Sequence, residues 1–322
     1  MINKGSERIL IIGANGQLGS VLTEALKDKY DEEHVIASDL YLNEEYDGIF
    51  EIIDATNKSR IQTIVSKYNI TQIYHLAAIL SAKGEEQPLN TWEINMKTWL
   101  NVLEVSRISG ISKVFYPSSI AVFGDNAQKD NTPQHSFLDP STVYGISKVA
   151  GENWAHYYYL KYGLDVRSLR FPGIIGYQSM PGGGTTDYAV DIYHKAVKQE
   201  KFSCFLKSDT TLPMMFIDDA IRATLELMEA PADKIKVRTS YNISGVSFSP
   251  SEVVNSIQKI YPDFEVVYSP DFRQKIARNW PGSINDSEAK KDWGWKQKFN
   301  LDDITSVMIN KLKEKYKAKS LI

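Results

Sequence analysis

Tyr144 and Lys148 stand four residues apart, so on a helix both side chains fall on one face about one turn from each other. A tyrosine is a poor base at neutral pH, but a nearby ammonium favours the phenolate and lowers its pKa, which would make the pair a general acid/base. The spacing alone decides little, because the chain has 18 tyrosines and Tyr157 with Lys161 repeats it. Context separates the two pairs. The stretch Pro117-Ser118-Ser119-Ile120-Ala121-Val122-Phe123-Gly124 follows an apolar run, at what would be the carboxyl edge of a parallel sheet, where ligands bind. From Ser119 to Tyr144 there is room for a loop and a helix start that bring the tyrosine back to that edge. The Ser119 hydroxyl could there hold a substrate oxygen against the tyrosine, although a single serine is more often a turn or cap.

A second chemical feature opens the chain. Ile9-Leu10-Ile11-Ile12 runs into Gly13-Ala14-Asn15-Gly16-Gln17-Leu18-Gly19, a strand that turns through spaced glycines into a helix. Glycine allows the tight turn and lets backbone approach a pyrophosphate, while the helix N-terminus offers free N–H groups and a partial positive charge. Residues Gly13 and Asn15 to Gly19 are therefore expected to line a dinucleotide. Asp39, after the next apolar run, can accept from adenosine ribose hydroxyls and would repel a 2′-phosphate, which favours NAD over NADP. Asp54, followed by Ala55, closes the third run in the same way and could face the adenine. A plain turn role competes for both acids.

The elements that must position these groups follow from periodicity. Short β-branched runs at 8–12, 34–38, 49–53, 72–76, 113–117 and 165–170 alternate with helical patterns at 17–29, 58–67, 88–108 and 143–162. This is the pattern of successive βαβ units, and it predicts an α/β fold with a doubly wound parallel sheet. The character changes at 171–188, where Pro172, Gly173, Gly176, Pro181 and Gly182-Gly183-Gly184 predict an irregular and functional stretch. Beyond it, a strand at 212–217, a helix at 218–229 with Asp218 and Asp219 as cap and first turn, and strands near 241–243 and 264–267 are expected. A helix after Pro250 and a last one at 302–315 complete the reading, with Met214, Met215, Trp293 and Trp295 in the core.

Composition bounds the partners. Of 322 residues 43% are apolar and 24% charged, which excludes intrinsic disorder, collagen and coiled coil. A net charge of -3 supplies no field for nucleic acid or an anionic membrane surface, so a small neutral or zwitterionic partner is expected. Cys204 alone cannot build a disulfide framework and fits a reducing compartment. The five histidines are too scattered for a zinc site, so no metal is expected. Without a targeting segment or an apolar run of membrane length, a cytoplasmic location is expected.

Taken together, Gly13-x-x-Gly16-x-x-Gly19, Asp39, His75-Leu76-Ala77-Ala78, Asn95, Ser119 and Tyr144-x-x-x-Lys148 resemble the extended short-chain dehydrogenase/reductase family, over almost the whole chain. The resemblance implies a Rossmann NAD-binding domain at 1–175, to which 218–245 returns, and a smaller C-terminal α/β substrate lobe at 176–217 and 246–322. The second half looks most like the L-threonine 3-dehydrogenases of that family, in Arg170-Phe171-Pro172-Gly173, Pro181-Gly182-Gly183-Gly184-Thr185-Thr186-Asp187-Tyr188, Thr211-Leu212-Pro213-Met214 and Trp280-Pro281. Two departures weigh against the sugar enzymes. Ile120 follows Ser119 where dehydratases carry acids, and Gly173 stands where epimerases usually have a nucleotide-contacting Asn.

The resemblance implies NAD-dependent oxidation of the C3 hydroxyl of L-threonine to L-2-amino-3-oxobutanoate, with Tyr144 as base, Lys148 on the nicotinamide ribose and Ser119 on the reacting oxygen. It also implies that Leu76, Ala77, Ala78 and Asn95 border the cofactor, that Pro172 and Ile174 lie beside the carboxamide, and that two copies pair through the helices at 88–108 and 143–162. For the amino acid itself the candidates are Ser81, Thr185 and Thr186, with Trp280 as a lid contact; each hydroxyl reads equally as a cap or loop group. A nucleotide-sugar epimerase and a non-catalytic NAD-sensing module are the competing readings.

Overall fold

The computed structural model describes residues 7–180 and 182–319. Pro181, part of the expected irregular stretch, lies outside the described residues. The central sheet has seven strands, all parallel: β1 (Ile9–Ile12), β2 (Val35–Asp39), β3 (Ile49–Ile52), β4 (Gln72–His75), β5 (Lys113–Ser119), β6 (Asp165–Phe171) and, returning late in the chain, β10 (Tyr241–Asn242). Their order is β10-β6-β5-β4-β1-β2-β3. The order reverses direction on either side of β1 and β4, and this places the carboxyl ends of those two strands at the switch point where a crevice opens.

Strand β1 is a continuous apolar run because both faces of the sheet are covered there. Ile9 and Ile11 face one core with α1 (Gln17–Tyr30), while Leu10 and Ile12 face the other with α2 (Lys58–Tyr68) and α4 (Pro88–Ser109). Local signals set the helix ends. Pro88 starts α4, Gly110 stops it at φ +68, and Thr142 caps α5 (Val143–Tyr162) by accepting from the Gly145 N–H. One short helix, α3 (Ser81–Gly84), sits between β4 and α4.

After β6 the chain builds smaller sheets: β7 (Gly173–Ile175) parallel to β9 (Leu212–Phe216), β11 (Val246–Phe248) antiparallel to β9, and β8 (Phe202–Cys204) parallel to β12 (Val266–Tyr268). Strands β7, β8 and β11 have three residues each, too few to show a period of two, and periodicity does not predict them. Helices α6 (Tyr188–Val197), α7 (Ile217–Glu229), α8 (Pro250–Gln258), α9 (Phe272–Asn279), α10 (Ser287–Trp293) and α11 (Leu301–Lys319) complete the chain. Asp218 and Asp219 both fall in the first turn of α7, whose cap position is Phe216. Asp219 instead accepts from the Lys298 and Phe299 N–H groups and pairs with Arg222, tying α7 to the distant C-terminal segment. Met214, Met215 and Trp295 are fully buried. Among the described residues no helix is long and apolar enough to cross a membrane.

Candidate active site

The glycine turn after β1 is held from two sides. Gly13 has φ +96, and a Cβ there would lie 2.6 Å from the Ala77 nitrogen; a Cβ on Gly19 would lie 2.1 Å from the Gly13 carbonyl oxygen. No side chain larger than hydrogen fits either place. The cap of α1 is Gly16, which has no side chain to accept from the first-turn N–H groups, so these remain available to an anion. Asn15 is exposed and lines neither cleft described below; its N–H donates to Asp39 at 3.0 Å and its side chain to the Tyr41 carbonyl at 2.9 Å. It fastens the turn to the end of β2.

Two clefts meet over this turn. One, of about 280 Å³, is lined by Gly13, Gly16, Asp39, Asp54, Ala55, Leu76, Ala77 and Ala78. Asp54 also makes the turn expected of it, accepting from the Thr56 N–H at 2.8 Å. The other, of about 270 Å³, shares Gly13, Gly16, Leu76 and Ala78 and continues past Gln17, Leu18 and Gly19 to Ser119, Tyr144 and Lys148. Pro172, Ile174, Ser81, Thr185, Thr186 and Trp280 complete its far wall. Asn95 lines neither. Buried behind the loop, it accepts from the Ile79 N–H at 2.8 Å and donates to the Ile79 carbonyl at 3.1 Å, so it braces the chain that follows Ala78.

The tyrosine reaches Ser119 because α5 packs tightly on the turn after β5. A Cβ on Gly145 would lie 2.2 Å from the Ala121 carbonyl oxygen, so only glycine lets the first turn of α5 come this close. Lys148, on the same face, donates to the Pro117 carbonyl at 2.6 Å, and its Nζ lies 5.3 Å from the centre of the Tyr144 ring. Tyr157 and Lys161, the competing pair, stand on the outer part of the helix, with Tyr157 42% exposed.

Electrostatics differ from the expectation that the ammonium lowers the tyrosine. Burial pushes the Tyr144 phenol up to about 12, with its hydrogen bond to Ser119 pulling the other way. Burial also pushes Lys148 down to about 7, against the Glu152 carboxylate, which favours the charge. In the closed cleft, lost hydration costs each charged form more than its neighbours return. Tyr144 is only half-buried by surface area, so water or a cation in the cleft reduces this penalty.

The far wall joins distant segments. The Ser81 and Thr185 hydroxyls are hydrogen-bonded at 3.2 Å although 104 residues separate them. Thr186 packs against Gly173, where a Cβ would lie 2.7 Å from the Thr186 Cβ and 2.4 Å from Met214 Sδ. Asp187, which sequence reasoning passed over, also lines the cleft; it accepts from the Gly183 and Gly184 N–H groups at 2.8 and 2.7 Å, and burial raises its pKa. An acid three residues beyond a glycine run, within reach of its free N–H groups, is the signal that would have found it. Glu152 was likewise missed, though it extends the Tyr144, Lys148 spacing by one more turn. It accepts from Ser118 at 2.6 Å and pairs with Arg170 at 2.7 Å, wholly buried.

Residues 9–244 match the NAD dependent epimerase/dehydratase family. The chain belongs to that family. NAD is its cofactor, and the site fits one: two contiguous clefts meet at a glycine turn that no side chain could occupy, beside an uncapped helix N-terminus. Among individual proteins, the chain is 45% identical over 308 residues to the mitochondrial L-threonine 3-dehydrogenase of Bos taurus, covering 94% of this chain and 82% of that one. It is 43% identical over 314 residues to an uncharacterised epimerase/dehydratase of Staphylococcus haemolyticus, covering 96% and 98%. The holo form of a GalE-like L-threonine dehydrogenase from Cupriavidus necator superposes with a TM-score of 0.94 at 50% identity, covering 95% of this chain and 100% of that one.

Proposed function

We propose that this member of the family oxidises the C3 hydroxyl of L-threonine with NAD, giving L-2-amino-3-oxobutanoate. The observation that carries the reading is one small cleft in which the proton-handling group of Ser119, Tyr144 and Lys148 faces the hydroxyl pair of Ser81 and Thr185. A cleft of about 270 Å³, walled by Trp280 and by Thr186 packed on Gly173, suits a nicotinamide and a small amino acid better than a nucleotide sugar. The threonine dehydrogenases among its relatives point the same way.

NAD, when bound, supplies the hydride acceptor and a positive charge at its nicotinamide. Tyr144 takes the proton from the C3 hydroxyl, and Ser119 holds that oxygen in line. Lys148 steadies the nicotinamide ribose and favours the phenolate. Ser81, Thr185 and Thr186 grip the carboxylate and ammonium, and Trp280 closes the wall. On the other side of the glycine turn Asp39 accepts from the ribose, with Asp54 and Ala55 beside the adenine, Leu76 to Ala78 along the loop, and Pro172 and Ile174 at the carboxamide.

Purified protein given L-threonine and NAD is expected to form NADH, and to reduce NADP far more slowly because Asp39 opposes a 2′-phosphate. No NADH from threonine together with turnover of a nucleotide sugar would replace this reading with that of an epimerase.

We also infer that two copies pair through α4 and α5. Leu89 is 85% exposed on α4, and Ile146, Tyr157 and Leu160 lie exposed along one face of α5, with Leu160 69% exposed. Apolar groups clustered on two packed helices mark a contact surface. Light scattering should give twice the chain mass, and Leu160→Glu should return it to one chain; a wild-type protein at the single-chain mass at micromolar concentration rejects the pairing.

A further inference from the structure

We propose that Tyr116 is a positioning residue for Lys148: the face of its ring holds the Lys148 ammonium, and a stack of two further rings fixes that face in place. The inference deepens the reading of Tyr144 and Lys148 as the proton-handling pair and rests on it.

Lys148 Nζ lies 4.5 Å from the centre of the Tyr116 ring. That ring stacks on Trp99 with centres 4.3 Å apart and planes 22° from parallel. Trp99 stacks in turn on His75, 5.8 Å away and 7° from parallel. All three rings are buried. The column is pinned to α5 itself, since Trp99 Nε1 donates to the Gly151 carbonyl at 3.1 Å and the Tyr116 hydroxyl occupies the space a Gly151 side chain would need. A shift of the helix that carries Lys148 would therefore disturb the platform beneath it.

The groups that face Lys148 leave Tyr116 with a specific task. Glu152 lies one turn along α5 and favours the charged form, but its two oxygens are taken up by Arg170 and Ser118. Tyr144, on the other side, is neutral until it gives up its proton. His75 is held well below its usual range, at about 3, by burial first and by Lys148 second, so it carries no charge against the ammonium. The Pro117 carbonyl accepts a single Lys148 N–H. In a buried site whose lost hydration works against the ammonium, an aromatic face is a neighbour that favours the charge without adding a titrating group.

The test is the pH profile of kcat/KM for L-threonine with NAD, whose acid limb reports the deprotonation of the coupled pair. Removing the electron-rich face disfavours the ammonium, the first of the pair to give up its proton, so the limb moves to lower pH and the plateau rate falls with the share of phenolate. Tyr116→Phe keeps the face and is expected to keep the limb. Tyr116→Leu is expected to lower it by about half a pH unit or more. Should Tyr116→Leu fail to fold, pentafluorophenylalanine at position 116 keeps the ring shape while withdrawing charge from its face, and the same fall is expected. A limb unmoved by the fluorinated ring, or moved equally by Tyr116→Phe, overturns the inference. Lys148→Met keeps the two readings apart. Full activity in that variant rejects the proton-handling pair itself, whereas an inactive Lys148→Met beside an unmoved fluorinated variant rejects Tyr116 alone.

Discussion

Tyr144→Phe is expected to lose threonine-dependent NADH formation by a factor of about 10²–10⁴, the usual weight of a positioned acid/base group. The phenol oxygen faces the cleft and Ser119, while the ring packs at the start of α5, so phenylalanine should fill the same volume and leave the melting temperature and NAD binding close to wild type. Loss of kcat/KM with folding intact is the required combination. The sign of the pH dependence follows from the pair. Burial raises Tyr144 to about 12 and lowers Lys148 to about 7, so the phenolate is the minor form at neutral pH. In the wild type, kcat/KM should climb as pH rises until the coupled pair has lost its proton, and the residual rate of Tyr144→Phe should lack that limb. A variant within tenfold of wild type would remove Tyr144 from the chemistry.

Glu152→Ala is expected to cost about 3–5 kcal/mol of stability, the usual result of removing one partner from a buried ion pair. Both partners are almost fully shielded, and once the carboxylate is gone Arg170 keeps the Gln134 carbonyl, the Asn242 side chain and the Phe123 ring 5.3 Å away, none of them charged. Ser118 loses its acceptor as well. The network spans β5, β6, β10 and α5, so it joins the late strand Tyr241–Asn242 to the helix that carries Tyr144 and Lys148. Urea unfolding measures the loss. Glu152→Leu combined with Arg170→Met should be less damaging than either single change, because no buried charge is left without a partner. If Glu152→Ala unfolds where the wild type does, the pair contributes nothing to the fold.

Much of the frame was legible because its signals are local. The run Ile9–Ile12, the glycines after it and the Tyr144, Lys148 spacing each lie within a dozen residues, where turn geometry and helical period act directly. Four-residue β4 and seven-residue β5 came out within two residues of their expected ends, as did α5, whose Thr142 cap and Gly163 stop are both encoded next to it. The three-residue strands β7, β8 and β11 and the cap of α7 were not legible, since a neighbouring strand rather than a period forms the former and a distant segment takes up Asp219 at the start of the latter.

The sequence by itself determined the parallel α/β order and the glycine turn, and it singled out Tyr144 and Lys148 over Tyr157 and Lys161. Only the tertiary structure decided that Ser81 meets Thr185, and that Asn95 braces a loop instead of lining the site. It also reversed the expected direction for Tyr144. Charge state depends on how much water is displaced by residues brought in from everywhere along the chain, and no spacing between two residues reports that.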